Sequence, residues 1–88
     1  MTLAEETQLA AAARTWIADG TAQEVRERAR LSYAEMGQLA GVTPRTVARW
    51  EAGTRPRFEE AVRYAQVLRT VMGWHLAETE AGREVALP

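Results

Sequence analysis

The first half of the sequence contains four signals that start a helix. Three of them place a glutamate three positions after a hydroxyl residue, at Thr2 and Glu5, Thr21 and Glu24, and Ser32 and Glu35. In such a capping box, the two side chains satisfy backbone N–H groups at the start of a helix. The fourth signal is Thr43-Pro44, because threonine suits the N-cap and proline the first helical position. These signals predict the starts of four helices. We expect the four helices to end near Ala18, Arg30, Ala40 and Ala52.

Apolar residues at helical spacing predict a fifth helix from about Phe58 to Met72. Gly73 is expected to end or bend this helix, and the alternative is another turn or two over residues 74–77. Residues 80–88 show no secure pattern, and a short strand at 84–87 is an alternative there. No segment alternates between apolar and polar residues over a convincing length, so the sequence predicts an all-α fold.

The composition limits the classes of protein that fit. A chain of 88 residues suits one domain, and without cysteine it forms neither disulfides nor thiolate metal sites. The sequence shows no signal peptide, and no apolar run approaches the roughly 18 residues that span a membrane. We therefore expect a cytoplasmic protein with no membrane partner. The sequence shows no nucleophile–base pair, metal cluster or phosphate loop. We therefore predict no enzymatic activity, no cofactor and no metal.

Charge is distributed unevenly along the chain. The net charge is −1, but residues 26–57 carry +4, between −3 over residues 1–25 and −2 over residues 58–88. A local positive field acts on a charged partner regardless of the overall sum. A nucleic-acid partner is therefore compatible with the acidic composition, although surface arginines that serve only solubility are the alternative.

Residues 31–56 have the pattern of two short helices joined by a glycine turn. Small Gly37 suits the place where two helices cross, and Gly41 suits a turn that needs a positive φ. The segment resembles the λ-repressor/Cro-like family of helix-turn-helix proteins, also called XRE-type, over about residues 22–70. The positions in register with the family pattern are Leu31, Ser32, Met36, Gly41, Val42, Thr43, Thr46, Val47, Trp50, Glu51, Gly53 and Pro56.

The resemblance implies a λ-repressor-like bundle of five or so helices with an extra N-terminal helix. Residues 1–20 would form that N-terminal extension, residues 21–72 the helix-turn-helix DNA-binding domain, and residues 73–88 a C-terminal extension. Within the domain, the family places the recognition helix at residues 43–50 and lays it in the major groove of DNA.

The base-contacting positions of the family fall on Pro44, Arg45 and Arg49. The two arginines are four residues apart and so project from one face of a helix. Arginine in this setting makes bidentate hydrogen bonds to O6 and N7 of guanine, whereas proline offers only apolar contact.

The resemblance also assigns contacts to the DNA backbone. The phosphate-contacting positions are Tyr33, Thr43, Thr46, Gly53, Thr54, Arg55 and Arg57. Gly53 and Thr54 would contribute backbone amides, and Arg55 and Arg57 would contribute charge. Two residues depart from the pattern, because Tyr33 replaces a glutamine that clamps a phosphate and Ala52 stands where an asparagine often contacts the backbone. We therefore expect weaker or differently registered backbone contacts at these two places.

Arg26 and Glu51 occupy positions that form a partly buried ion pair in several members of the family. The spacing between them matches without a gap. The alternative is that each side chain is solvated. Trp50 is expected to lie in the core and brace the recognition helix.

These features predict a sequence-specific DNA-binding transcriptional regulator, a repressor or Cro-like protein. It would bind double-stranded DNA at a palindromic operator as a homodimer, with Met72, Trp74 and Leu76 as candidate dimer contacts. The alternative is an antitoxin or adaptor whose terminal extensions bind a protein partner such as a toxin. Both functions are compatible with one chain.

Overall fold

The computed structural model describes the backbone of residues 1–86 and the side chains of residues 1–73. Over this part of the chain, the secondary structure consists of five α-helices and includes no strand, which confirms the all-α prediction. The helices are α1 (Leu3–Ala18), α2 (Thr21–Arg28), α3 (Tyr33–Ala40), α4 (Pro44–Glu51) and α5 (Phe58–Ala86).

Two of the three predicted capping boxes form. Thr2 and Ser32 each accept a hydrogen bond from the backbone N–H three residues later, and Glu5 and Glu35 bond back to the N-cap N–H. The hydrogen bonds from the Ser32 backbone and hydroxyl hold the pKa of the Glu35 carboxyl below its usual value. These local bonds explain why α1 and α3 begin where the sequence predicts.

The predicted capping box at Thr21 and Glu24 is wrong. Helix α2 has Gly20 as its N-cap, with φ +87°, and Thr21 is already the first helical residue. Only two residues separate α1 from α2, so the chain has to reverse through the left-handed conformation that glycine adopts without strain. The Asp19 carboxylate accepts a hydrogen bond from the Thr21 N–H at 2.9 Å. It thereby satisfies the first backbone N–H of α2, which has no partner within the helix.

The expected end of α5 near Met72 is also wrong. The helix continues through Gly73 to Ala86, so it includes residues 84–86 of the segment considered for a strand. A glycine inside a helix costs only about 1 kcal/mol relative to alanine, and residues 73–86 contain no proline that would stop the helix. Good helix formers on both sides of Gly73 therefore override its local preference.

Helix α5 is the element against which the other helices pack. One cluster of buried alanines, Ala10 and Ala13 of α1 with Ala61 and Ala65 of α5, brings these two helices close together. The main core cluster joins all five helices and consists of Ile17, Ala22, Met36, Ala40, Val47, Trp50, Tyr64 and Leu68. The prediction that Trp50 lies in the core is confirmed. The indole ring centroid lies 4.8 Å from that of Tyr64, in a tilted arrangement.

Two glycines determine how α3 meets α4. A Cβ atom on Gly37 would lie 2.6 Å from the Val42 carbonyl oxygen, so only glycine lets the turn approach α3 this closely. Gly41 ends α3 with φ +73°, the left-handed conformation expected there. The Arg63 guanidinium of α5 lies over this turn and donates to the Ala40 carbonyl at 3.1 Å. The turn therefore fixes the direction in which α4 leaves the core.

Candidate nucleic-acid interface

Helix α4 has one buried face and one exposed face. Val47 and Trp50 are buried, whereas Pro44, Arg45 and Arg49 are exposed. The two arginines lie one helical turn apart on the outer face, as their spacing requires. The structure thus brings the three predicted base-contacting residues together on the solvent side of a helix whose opposite side is fixed in the core.

The start of α4 is held by threonine hydroxyls. The Thr43 hydroxyl accepts a hydrogen bond from the Thr46 N–H at 3.2 Å and lies 2.9 Å from the Thr46 hydroxyl oxygen. Thr43 is exposed and Thr46 is partly buried. A hydroxyl has one hydrogen to donate, and only one of this pair needs it for their mutual bond. One hydroxyl hydrogen therefore remains for an acceptor beyond the helix start, such as a phosphate oxygen.

The loop of residues 52–57 continues the exposed surface from the end of α4. Gly53, Thr54, Arg55 and Arg57 are exposed, whereas Pro56 is buried. The Gly53 N–H donates to the Trp50 carbonyl at 3.0 Å and the Thr54 N–H to the Arg49 carbonyl at 2.9 Å. The two amides predicted to contact phosphate are thus already used to end α4. The loop offers the Thr54 hydroxyl and the two guanidinium groups instead.

Arg26 of α2 and Glu51 at the end of α4 form a bidentate ion pair. The Arg26 Nε lies 2.6 Å from Oε2 of Glu51, and the Arg26 Nη2 lies 2.9 Å from Oε1. The Arg26 side chain is 12% exposed and that of Glu51 only 4%. The hydrogen bonds that Arg26 donates to Glu51, opposed by burial, raise the pKa of Arg26 above its ordinary value. This pair ties the last turn of α4 to α2.

The Tyr33 ring contacts the Arg26 side chain of the same protein. The Arg26 guanidinium carbon lies 4.4 Å from the centroid of the Tyr33 ring, a distance at which a cation and an aromatic face attract each other. Arg26 also donates from Nη1 to the Leu31 carbonyl at 3.0 Å. Tyr33 remains 40% exposed at the first residue of α3. It therefore covers the ion pair with its ring and leaves one edge toward solvent.

Of the three candidate dimer contacts, the structure describes the side chain of Met72 alone. Met72 is partly buried and packs against the main core cluster of its own chain. Trp74 and Leu76 lie outside the residues whose side chains the structure describes.

Two arginines outside the predicted set contact the helix-turn-helix unit. Arg63 donates to the C-terminal carbonyl of α3, as described above. Arg14 of α1 donates from Nη2 to the Pro56 carbonyl at 3.3 Å. Neither contact has a local signal in the sequence, because the partners are 23 and 42 residues apart.

No group of three or more histidine, cysteine or acidic side chains within the described residues is arranged to hold a metal ion. Among the helices described, none is both long and apolar enough to cross a membrane.

Two short helices joined by a glycine turn, with the second held by the core and exposing arginines, define a helix-turn-helix protein. Comparison with known families agrees, because the helix-turn-helix family matches residues 23–74, more than half of the chain. The chain belongs to this helix-turn-helix family, and the resemblance to XRE-type members is confirmed.

One curated relative is a protein of Methanoregula boonei named an HTH-type transcriptional regulatory protein. It is 35% identical over 48 residues, which make up 54% of this chain and 15% of the relative. The chain therefore spans only a small part of that protein's length. No solved structure matches the chain significantly.

Proposed function

We propose that this protein is a sequence-specific DNA-binding transcriptional regulator that acts as a homodimer. Helix α4 lies in the major groove, where Arg45 and Arg49 bind guanine edges and Pro44 makes an apolar contact. The hydroxyls of Thr43, Thr46 and Thr54 contact the flanking phosphates. The guanidinium groups of Arg55 and Arg57 do so as well.

The proposal rests mainly on Arg45 and Arg49, which are exposed on one side of α4 while the other side of the helix packs in the core. Val47 and Trp50 anchor α4 in the core, and the bidentate pair between Arg26 and Glu51 holds its last turn. Reading a base edge requires donors held in a defined direction, since bidentate bonds to guanine tolerate little displacement. An arginine pair on a rigid helix meets this requirement.

The charge distribution supports a polyanionic partner. The +4 of residues 26–57 lies in the segment that contains α4 and the 52–57 loop. The name of the Methanoregula boonei relative agrees with a regulatory role, which we extend to this chain as part of the proposal.

The experiment is selection of bound sequences from a random duplex pool, followed by fluorescence anisotropy titration of the selected duplex at several salt concentrations. We expect one preferred sequence, two half-sites about one helical turn apart, and a logarithm of the binding constant that falls linearly with the logarithm of salt. The Arg69→Ala variant is the control, because Arg69 is an exposed arginine of α5 outside the proposed interface. Binding that shows neither sequence preference nor salt dependence would refute the proposal.

A further inference from the structure

Helix α1 reaches the proposed DNA-contacting loop, although it lies outside the family match. The match begins at residue 23, whereas α1 ends at Ala18. The loop is pinned at both ends by backbone hydrogen bonds, from the Thr54 N–H to the Arg49 carbonyl and from the Ala61 N–H to the Arg57 carbonyl. Between these two points, two side chains bond to the loop backbone. Arg14 of α1 donates to the Pro56 carbonyl, and Glu60 of α5 accepts from the Arg57 N–H at 3.3 Å.

The partial burial of the Arg14 side chain is energetically unfavourable. Its Nε atom is fully buried and has no hydrogen-bond partner, and the guanidinium group is only partly exposed. No carboxylate among the described side chains lies within salt-bridge distance of it. Desolvating a cation without a counter-ion is unfavourable, so an apolar side chain would pack here at lower cost. Packing alone therefore does not account for an arginine at this position.

Pro56 is suited to receive this contact. Proline has a fixed φ and no N–H of its own, so its carbonyl is the one backbone group of Pro56 that can form a hydrogen bond. The same peptide unit is also held through the Arg57 N–H, which donates to Glu60 of α5. The residue is buried, but both of its neighbours, Arg55 and Arg57, are exposed. Because φ of Pro56 is fixed by its ring, a bond to its carbonyl restricts ψ as well. It thereby limits how the backbone at Arg55 is oriented relative to the backbone at Arg57.

We propose that Arg14 is a positioning residue for phosphate binding. It holds the Pro56 carbonyl so that Arg55 and Arg57 present their guanidinium groups to the DNA backbone together with α4. The inference rests on the proposed function and adds a role for a helix outside the matched family segment. It predicts that Arg14 acts on affinity for DNA of any sequence, since phosphate contacts carry no base information.

The test is a double-mutant cycle that combines Arg14→Met with Arg55→Ala. Binding is measured by anisotropy to the selected duplex and to an unrelated duplex, at a temperature where circular dichroism shows every variant folded. Arg14→Met should weaken binding to both duplexes by the same factor, about fivefold, the size of one lost ordinary interaction. The double variant should bind more tightly than the product of the two single effects requires, because both changes remove the same contact. A role confined to stability would leave the affinity of the folded protein unchanged.

Two further variants complete the test. Arg14→Lys keeps a cationic donor on a shorter side chain and should bind more tightly than Arg14→Met. Arg69→Met removes an exposed arginine of α5 and should leave binding unchanged. If Arg14→Met does not fold, Arg14→Gln replaces it in the cycle, since its side chain is too short to reach Pro56 and remains polar.

Additive effects in the cycle, or unchanged affinity in the folded Arg14→Met or Arg14→Gln variant, would overturn this inference. The wild-type protein would still bind DNA in that case. Failure of the wild-type protein to bind any duplex would instead refute the proposed function.

Discussion

Arginine residues of the same chemical type have different surroundings along this chain. Arg26 is partly buried and paired with Glu51, Arg28 forms an exposed pair with Glu24, and Arg45 and Arg49 are exposed on α4. An arginine that is shielded from water and paired contributes mainly to the fold, whereas an exposed arginine is available to a partner. The residue type predicts charge, but its surroundings determine what that charge contacts.

Replacing either exposed arginine of α4 should alter base preference. Arg45→Ala and Arg49→Ala should each weaken binding to the selected duplex by roughly 1–3 kcal/mol and relax the preference at one base position. Repeating the selection with each variant measures both effects. Arg55→Ala is the matched comparison, since loss of a phosphate contact should weaken all sequences alike and lower the salt slope by about one. Unchanged base preference in both α4 variants would contradict the assignment of these residues.

The partly buried ion pair should matter far more for stability than the exposed one. Glu51→Gln removes the bidentate partner of Arg26 and leaves Glu27, at 3.8 Å, as its nearest carboxylate. It should lower the free energy of unfolding by about 3 kcal/mol. Glu24→Gln breaks the exposed pair with Arg28 and should change it by less than about 0.5 kcal/mol. Urea unfolding followed by circular dichroism measures both. Equal effects in the two variants would show that the pair at Glu51 is no better shielded from water than the surface pair.

At the scale of the helices, local signals predicted helix starts better than helix ends. The capping boxes at Thr2 and Ser32 form because their partners are only three residues away. The box at Thr21 does not form, because the two-residue connection to α1 requires a left-handed Gly20 and makes Thr21 helical. Gly73 does not end α5, since glycine weakens a helix without blocking it. A Cβ atom at either Gly20 or Gly73 would meet nothing within 4 Å. What differs is the chain on either side, a two-residue connection at Gly20 and a continuing helix at Gly73.

Replacing Gly37 or Gly73 by alanine should change the stability of the protein in opposite directions, because only Gly37 is closely surrounded. Gly37→Ala places a Cβ atom 2.6 Å from the Val42 carbonyl oxygen and should destabilise the protein by about 1–3 kcal/mol. Gly73→Ala meets no atom within 4 Å and should stabilise α5 by roughly 0.5–1 kcal/mol. Thermal unfolding of the two variants checks the pair. Stability equal to the wild type in Gly37→Ala would mean that the turn can move away from α3 freely.

At the scale of the whole molecule, α5 connects the core to the C-terminal part of the chain. Its 29 residues extend roughly 43 Å at the usual rise of an α-helix. Packing against the core involves its first half, through Ala61, Tyr64, Ala65, Leu68 and Val71. The backbone then continues as helix beyond the family match at residue 74 to Ala86. Homodimerisation through the segment after Met72 remains part of the proposed function.

A chain that ends at Met72 should be a folded monomer. The five α5 residues that are buried among the described side chains are retained, so the core persists, whereas the proposed dimer contacts at Trp74 and Leu76 are lost. Light scattering after size-exclusion chromatography should show a dimer for the full chain and a monomer for the truncated one. Binding to the two-half-site duplex should weaken more than binding to a single half-site, since linked sites raise the effective concentration. A truncated chain that stays dimeric would contradict the placement of these contacts.

The sequence by itself determined the all-α class, the helix-turn-helix unit and the family, because caps, glycine turns and helical spacing act between residues a few positions apart. The spacing of Arg45 and Arg49 also predicted that both lie on one face of α4, and both are exposed there. Only the tertiary structure decided that Tyr33 covers Arg26, that the Gly53 and Thr54 amides are used to end α4, and that Arg14 reaches Pro56. Such contacts depend on how distant helices pack, and that packing leaves no periodic signal in the sequence.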